Sequence, residues 1–344
     1  MDGKYIYGIV DSSHDIAPDL IGLGGGPVHK VSHQGISGVV SDYSGEDFRS
    51  VPKEPLVRFL LRHQLVIEAV MTEGGSAVLP VKFGTLLDGS DEVLHLLRQG
   101  QHLFRDALTW FNDKVEMEVA ATWDMSRVLK EVATEPAIVQ ARDTVPTGQP
   151  TLEERIRLGQ VVKATLDGRR DRYRERMMDF LKDVVVDKLP NALVSDDLVM
   201  NVAFLVNRQV EFDERVSQLN DLFQNQIDFR IIGPLPPYSF ATVEVTKPNR
   251  ERMEEARQLL GLGTVISEAE VKKAYRHRAA KAHPDHNPGG EMSKTRFAQL
   301  RRASELLIAY SRGQTGGNGS LLINMRRQGT ELQHVHFGPL PSFG

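Results

Sequence analysis

Leu198-Val-Met-Asn-Val-Ala-Phe-Leu-Val206 is an almost unbroken apolar run, followed by a helix-period segment with Phe212, Val216, Leu219 and Phe223 and by the β-favouring stretch Ile227 to Ile232. Strand, helix and strand in that order make half of an α+β sandwich. The other half lies upstream: strand Val115 to Trp123, a short helix from Ser126, a Pro/Gly-punctuated stretch at 144 to 150, and a long helix opened by Thr151 and Glu154 as a capping box. Tyr173, Met177, Phe180, Leu181 and Val184 keep that helix's apolar face in register, although Gly159 and Gly168 weaken it. The order predicts a ferredoxin-like α+β domain over residues 114–247. Gly233-Pro-Leu-Pro-Pro-Tyr-Ser-Phe240 reads as a turn, because successive prolines remove ladder donors, and Ala241 to Val245 resumes as a strand.

Residues 1–113 form a first α+β domain on the same reasoning. Lys4 to Val10 and two runs near 28–33 and 35–41 are strands of one sheet, interrupted by the glycine cluster Gly22, Gly24, Gly25 and Gly26. Leu56, Leu60, His63, Ile67 and Val70 recur at helical spacing after Pro52 and Pro55, and Gly74-Gly75 ends the helix. Ala77 to Leu87 reads as strand and turn, and Leu94, Leu97, Phe104, Leu108 and Phe111 mark a second helix.

Residues 248–312 are read as a third, all-α module: after the linker Lys247-Pro248-Asn249, residues 251–312 are almost purely helical in pattern. Residues 251–312 hold 12 Lys/Arg against 8 Asp/Glu, a local basic excess in a chain whose net charge is -4. Glu268 to Ala282 is a helix carrying Lys272, Lys273, Arg276, Arg278 and Lys281 with no acid between Val271 and Pro284. It runs into His283-Pro284-Asp285, where proline biases the preceding residue away from the α region and sets His and Asp on a tight turn. A second helix, with Phe297, Leu300, Ser304 and Leu307 on one face, packs antiparallel to the first. Residues 313–344 are a Gly-rich flexible tail in which Leu321 to Met325 has strand character.

Composition excludes much chemistry. With 40% hydrophobic, 26% charged and 7% aromatic residues the chain is an ordinary globular one, and with no cysteine it has no disulfide, thiol nucleophile or Cys-ligated metal. No N-terminal signal pattern and no long apolar run occurs, so a cytoplasmic protein with no membrane partner is expected. The glycine cluster lacks the Lys-Ser/Thr ending of a phosphate loop. His63 lies on an apolar helix face and reads as a core histidine, Asp196 and Asp197 read as a solvated turn, and His283 with His286 lacks further metal ligands. The cationic helix has no interleaved aromatics for base stacking, so no nucleic acid is expected. Catalytic residues, cofactors and metals are all expected to be absent.

Leu259-Leu-Gly-Leu262, Val271-Lys-Lys-Ala-Tyr-Arg276, His283-Pro-Asp285, Asn287 and Phe297 together resemble a J domain of the DnaJ family. The resemblance implies that Lys272, Lys273, Arg276, Arg278, Lys281, His283, Pro284 and Asp285 engage an acidic surface of a DnaK-type chaperone and stimulate its ATPase. Arg278 stands where that family usually has an apolar residue and Ala282 where it usually has an aromatic, and no basic fourth helix follows Tyr310.

Tyr5-Ile-Tyr-Gly-Ile-Val10, the helix around His63, Val66 and Glu68, Val78-Leu-Pro-Val-Lys-Phe-Gly-Thr85, Asn201-Val-Ala-Phe-Leu-Val206, and Phe229 with Gly233 to Phe240 resemble the gas vesicle protein F/L family over residues 4–245. That resemblance implies an accessory protein of two α+β domains, partnered with the small hydrophobic shell protein and other gas vesicle accessory proteins, and a gas vesicle location. The combined expectation is an assembly factor that holds shell subunits and recruits a chaperone to them. A general J-domain co-chaperone, and a structural minor component with an inactive J-like module, are the alternatives.

Overall fold

The computed structural model describes residues 3–45, 48, 51–144, 151–224, 226–247, 250–263, 267–282, 291–313 and 321–327. The chain divides into two compact units, Met1–Thr109 with Ala241–Gly344, and Trp110–Phe240.

The first unit is built on β1 (Gly3–Asp11), which is buried along nearly its whole length. It pairs antiparallel with β3 (Ile36–Tyr43) on one side and with β4 (Val78–Pro80) and β5 (Leu86–Leu87) on the other, and β2 (His29–His33) completes the sheet beside β3. Both faces of β1 are covered, which is why Tyr5 to Val10 is apolar without alternation. Tyr5 and Tyr7 meet His63 of α1 (Lys53–Gly74), while Ile6 lies beside Gly38 near Val93 of α2 (Ser90–Gln99). Gly75, at φ 65°, ends α1 in the left-handed conformation that favours glycine. The second helix expected here is two, α2 and α3 (Gln101–Phe111), divided at Gly100, where a side chain would run into the Phe104 ring. Leu60, expected in the core, is exposed; His63, Val66, Ile67, Val70 and Met71 form the buried face.

The second unit runs β6 (Lys114–Trp123), α4 (Met125–Val132), α5 (Pro136–Asp143), α6 (Leu152–Leu181), β7 (Val185–Pro190), β8 (Leu198–Asn207), α7 (Phe212–Leu222) and β9 (Ile227–Leu235). The sheet order β7-β8-β6-β9, antiparallel throughout, is the ferredoxin-like arrangement. The capping box opens α6 as expected: the Thr151 N–H donates to Glu154 Oε2 at 2.8 Å and the Glu154 N–H to Thr151 Oγ1 at 3.3 Å. Leu166, Met177 and Leu181 of α6 pack with Val216 and Leu219 of α7 on Val202, Phe204 and Val206. Two elements escaped the sequence. α5 has only Ile138 buried, and β7 alternates as an edge strand with Val186 exposed, so each offers no apolar run longer than three residues. The turn expected at Gly233 also starts later: β9 continues to Leu235, since an edge strand needs no donor on its outer side and so accommodates Pro234.

β10 (Thr242–Thr246) was expected in the second domain but belongs with the first. Val243 bridges Val81 in parallel, and the Lys82 N–H donates to the Val243 carbonyl at 2.9 Å. Three helices follow, α8 (Arg250–Leu260), α9 (Glu268–Ala282) and α10 (Glu291–Gly313), then β11 (Leu322–Arg326), paired antiparallel with β10. The strand character expected at Leu321 to Met325 is borne out as β11, within residues 313–344 otherwise expected to be a flexible tail.

Candidate functional site

The helical module has a core of its own, with Met253, Ala256 and Leu260 from α8, Val271 from α9, and Leu300, Ala303 and Leu307 from α10. α9 begins at a capping box, for which Ser267 and Glu270, three residues apart, are the sequence signal: Glu270 Oε2 accepts from the Ser267 N–H at 2.9 Å and hydroxyl at 2.7 Å, and the Glu270 N–H donates to Ser267 Oγ at 3.3 Å. Tyr275 and Phe297 face each other across α9 and α10, their ring centroids 6.5 Å apart.

This packing decides which cations are presented. Lys272, Lys273 and Arg276 are exposed, and Lys272 with Arg276, one turn apart, share a face. Lys272 pairs with Glu268 at 2.6 Å, so that acid mutes the stripe at its N-terminal end. Arg278 points elsewhere: half-buried, its guanidinium lies against Gly261, where a side chain on residue 261 would collide with it. Gly261 closes α8 at φ 65°, and its missing side chain is the space that the Arg278 guanidinium occupies. Lys281 is in the last turn of α9. His283, Pro284 and Asp285, and His286 with them, lie outside the described residues.

Between α9 and α10 runs a cleft of about 450 Å³, walled by Lys272, Tyr275 and Arg276 on one side and by Arg301, Ser304, Glu305 and Ile308 on the other. Arg301 and Glu305 approach to 3.9 Å along α10. The antiparallel packing of the two helices is the one expected from the sequence, but the cleft beside it is not; the i, i+3, i+4 spacing of 301, 304, 305 and 308 is the signal that points to it.

His63 is a core histidine. Its Nδ1 lies 2.8 Å from the Tyr5 hydroxyl, which also accepts from the Gly84 N–H at 3.1 Å, and its ring packs against Tyr7 and Phe83. Burial, opposed by a hydrogen bond to the Val81 backbone, lowers its pKa to about 4, and burial raises that of the Tyr5 phenol. A general base open to substrate is not what this geometry makes. The glycine cluster is a loop laid close against β3: the Gly22 N–H donates to Gly26 O at 2.8 Å, and a side chain on Gly22 or Gly24 would strike Ser41 or the Asp42 backbone. Asp196 and Asp197 have exposed carboxylates, with their carbonyls accepting from the Trp123 indole and backbone N–H. Among the described residues, no three His, Asp or Glu side chains form a metal-binding group, and no helix is long and apolar enough to cross a membrane.

Comparison with known proteins agrees with both halves of the architecture. Residues 3–242 match the family described as gas vesicle synthesis protein GvpL/GvpF, and residues 258–312 match the DnaJ domain. The chain is similar to gas vesicle protein F of Streptomyces sp. (strain CB03234), 31% identical over 69% of this chain and 98% of the relative, and to gas vesicle protein F of Microcystis aeruginosa (strain PCC 7806), 25% identical over 70% and 98%. The crystal structure of GvpF from Anabaena sp. PCC7120 superposes with a TM-score of 0.61 at 23% identity, covering 70% of this chain and 98% of that one, and so shares the fold. The chain belongs to the GvpL/GvpF family of gas vesicle proteins and continues, beyond the family's length, into a DnaJ domain.

Proposed function

We propose that the chain is a gas vesicle assembly factor without enzymatic activity of its own, whose body holds the small hydrophobic shell protein while its J domain brings a DnaK-type chaperone to that client. The observation that carries the reading is the union, in one polypeptide, of a nearly full-length family body with a J domain that exposes Lys272, Lys273 and Arg276 on one rigid helix. Exposed apolar surface on a shell subunit associates nonspecifically before it joins a wall, and a chaperone tethered beside it acts at high effective concentration. Charge on α9 steers the encounter with an acidic chaperone surface, and His283-Pro284-Asp285 supplies the specific contact. Other gas vesicle accessory proteins join the same assembly, at the vesicle, in the cytoplasm.

The test is a chaperone ATPase assay run beside a shell-protein pull-down. His283→Gln is expected to abolish stimulation of the ATPase while shell-protein capture is unchanged. Stimulation that survives the substitution defeats the chaperone half, and equal capture of unrelated unfolded proteins defeats the specific-client half.

A further inference from the structure

Residues 322–326 follow the helical module in the chain, yet they pair with β10, which precedes it. The register is Thr242↔Arg326, Val243↔Met325, Glu244↔Asn324, Val245↔Ile323 and Thr246↔Leu322. The strand before the module and the strand after it thus lie side by side, and the module departs and returns at the same end of the pair.

Further contacts tie this pair to the body. Glu244 Oε1 receives Lys82 at 2.9 Å and Arg326 at 3.3 Å, so one carboxylate joins three separate segments. Gln99 of α2 grips Leu321 at both backbone groups: its amide oxygen accepts from the Leu321 N–H at 3.1 Å and its amide nitrogen donates to the Leu321 carbonyl at 2.5 Å. A side chain here makes the two bonds that a neighbouring strand would make. Leu321 and Met325 are buried. At the other tether, Lys247 pairs with Asp88 and Glu92 at 2.8 Å each.

We propose that the edge of β10, with Gln99 and Glu244, is a strand-accepting site for an extended apolar peptide, that residues 321–326 are its ligand in cis, and that this pairing fastens the DnaJ domain to the body at both ends. The assignment goes beyond the chaperone reading and does not depend on it. An unfilled β10 would present a row of free N–H and C=O groups, the usual template for unwanted pairing between chains, and β11 covers that row. A domain on one tether turns freely about it. Held at two adjacent points, by residues 247–249 with a reach of about 11 Å and residues 314–320 with a reach of about 25 Å when extended, it stays beside the β10–β11 edge, and whatever binds α9 arrives near that edge.

The chain has no cysteine, which makes a cross-strand disulfide a clean probe. Opposed residues of an antiparallel pair have Cα atoms about 4.5–5.5 Å apart, within disulfide range. In the full chain, Val245→Cys with Ile323→Cys is expected to form an intramolecular crosslink on mild oxidation, seen as a reductant-sensitive gel shift. A chain that stays reduced, or that crosslinks only between molecules, overturns the pairing. Ile323→Pro with Met325→Pro, which breaks the ladder, is expected to speed amide exchange in Thr242–Thr246 at least tenfold while leaving α8, α9 and α10 unchanged; unchanged exchange in β10 also overturns it. Adding a synthetic peptide of residues 319–328 to that proline variant is expected to restore slow exchange, and a peptide without effect refutes the strand-accepting site. None of these readouts involves a chaperone, so loss of ATPase stimulation would count against the proposed function alone.

Discussion

Glu116, near the start of β6, accepts two hydrogen bonds from Ser239, one from its backbone N–H at 2.8 Å and one from its hydroxyl at 2.6 Å, and both residues are buried. Burial is the larger influence and lifts the carboxyl pKa to about 7 despite these donors. A carboxyl whose pKa is higher in the folded than in the unfolded state stabilises the fold below about 4.5, and this contribution is lost as pH rises through about 7. The loss is on the order of 3 kcal/mol. Thermal melts at pH 5 and pH 8 are expected to show it, and Glu116→Gln to narrow the gap between them; an unchanged gap refutes the assignment.

The first unit has the opposite dependence through His63. Its pKa of about 4, below the ordinary value of 6.5, means that the neutral ring is the folded form, so its contribution is present above pH 6.5 and lost as pH falls toward 4. His63→Leu is expected to flatten that acid limb, and to cost about 1–3 kcal/mol at neutral pH because the buried Tyr5 hydroxyl loses a partner. Amide exchange resolved by segment separates this from the Glu116 effect.

Gly261→Ala meets two obstacles at once, a left-handed backbone and the Arg278 guanidinium. The expected cost is about 1–2 kcal/mol, confined to α8–α10 and read as faster amide exchange there. Because Arg278 is the obstacle that yields, Gly261→Ala combined with Arg278→Leu is expected to recover part of the loss.

Lys272→Glu with Arg276→Glu reverses the charge of the exposed face of α9 without touching Val271 or Leu307 in the core. Under the proposed function, association with a DnaK-type chaperone slows by roughly tenfold or more at low salt, and the difference shrinks as salt rises. A loss of binding that is insensitive to salt would mean that these side chains act through structure and not through steering.

Thr151→Ala removes the hydroxyl that accepts from the Glu154 N–H and is expected to lower the stability of the second unit by about 1 kcal/mol. Thr151→Ser, which keeps the acceptor, is expected to be near neutral.

What the sequence determined by itself is what neighbouring residues dictate. Unbroken apolar runs marked β1 and β8, and apolar period marked α1 and α7; Thr151 and Glu154 marked the start of α6; and Tyr5 to Val10, Gly233 to Phe240 and Val271 to Asp285 carried both family resemblances. Elements with one shallow buried edge, α5 and β7, left no such pattern. Only tertiary structure decided where Arg278 turns, because the room for it comes from Gly261, just past the end of α8. Only tertiary structure joined Glu116 to Ser239 and Tyr5 to His63, pairs far apart in the chain whose partners no local rule selects. The same holds for β10 and β11. Each is a short β-favouring run when read alone, and which strand edge such a run fills depends on where the intervening helices bring it back.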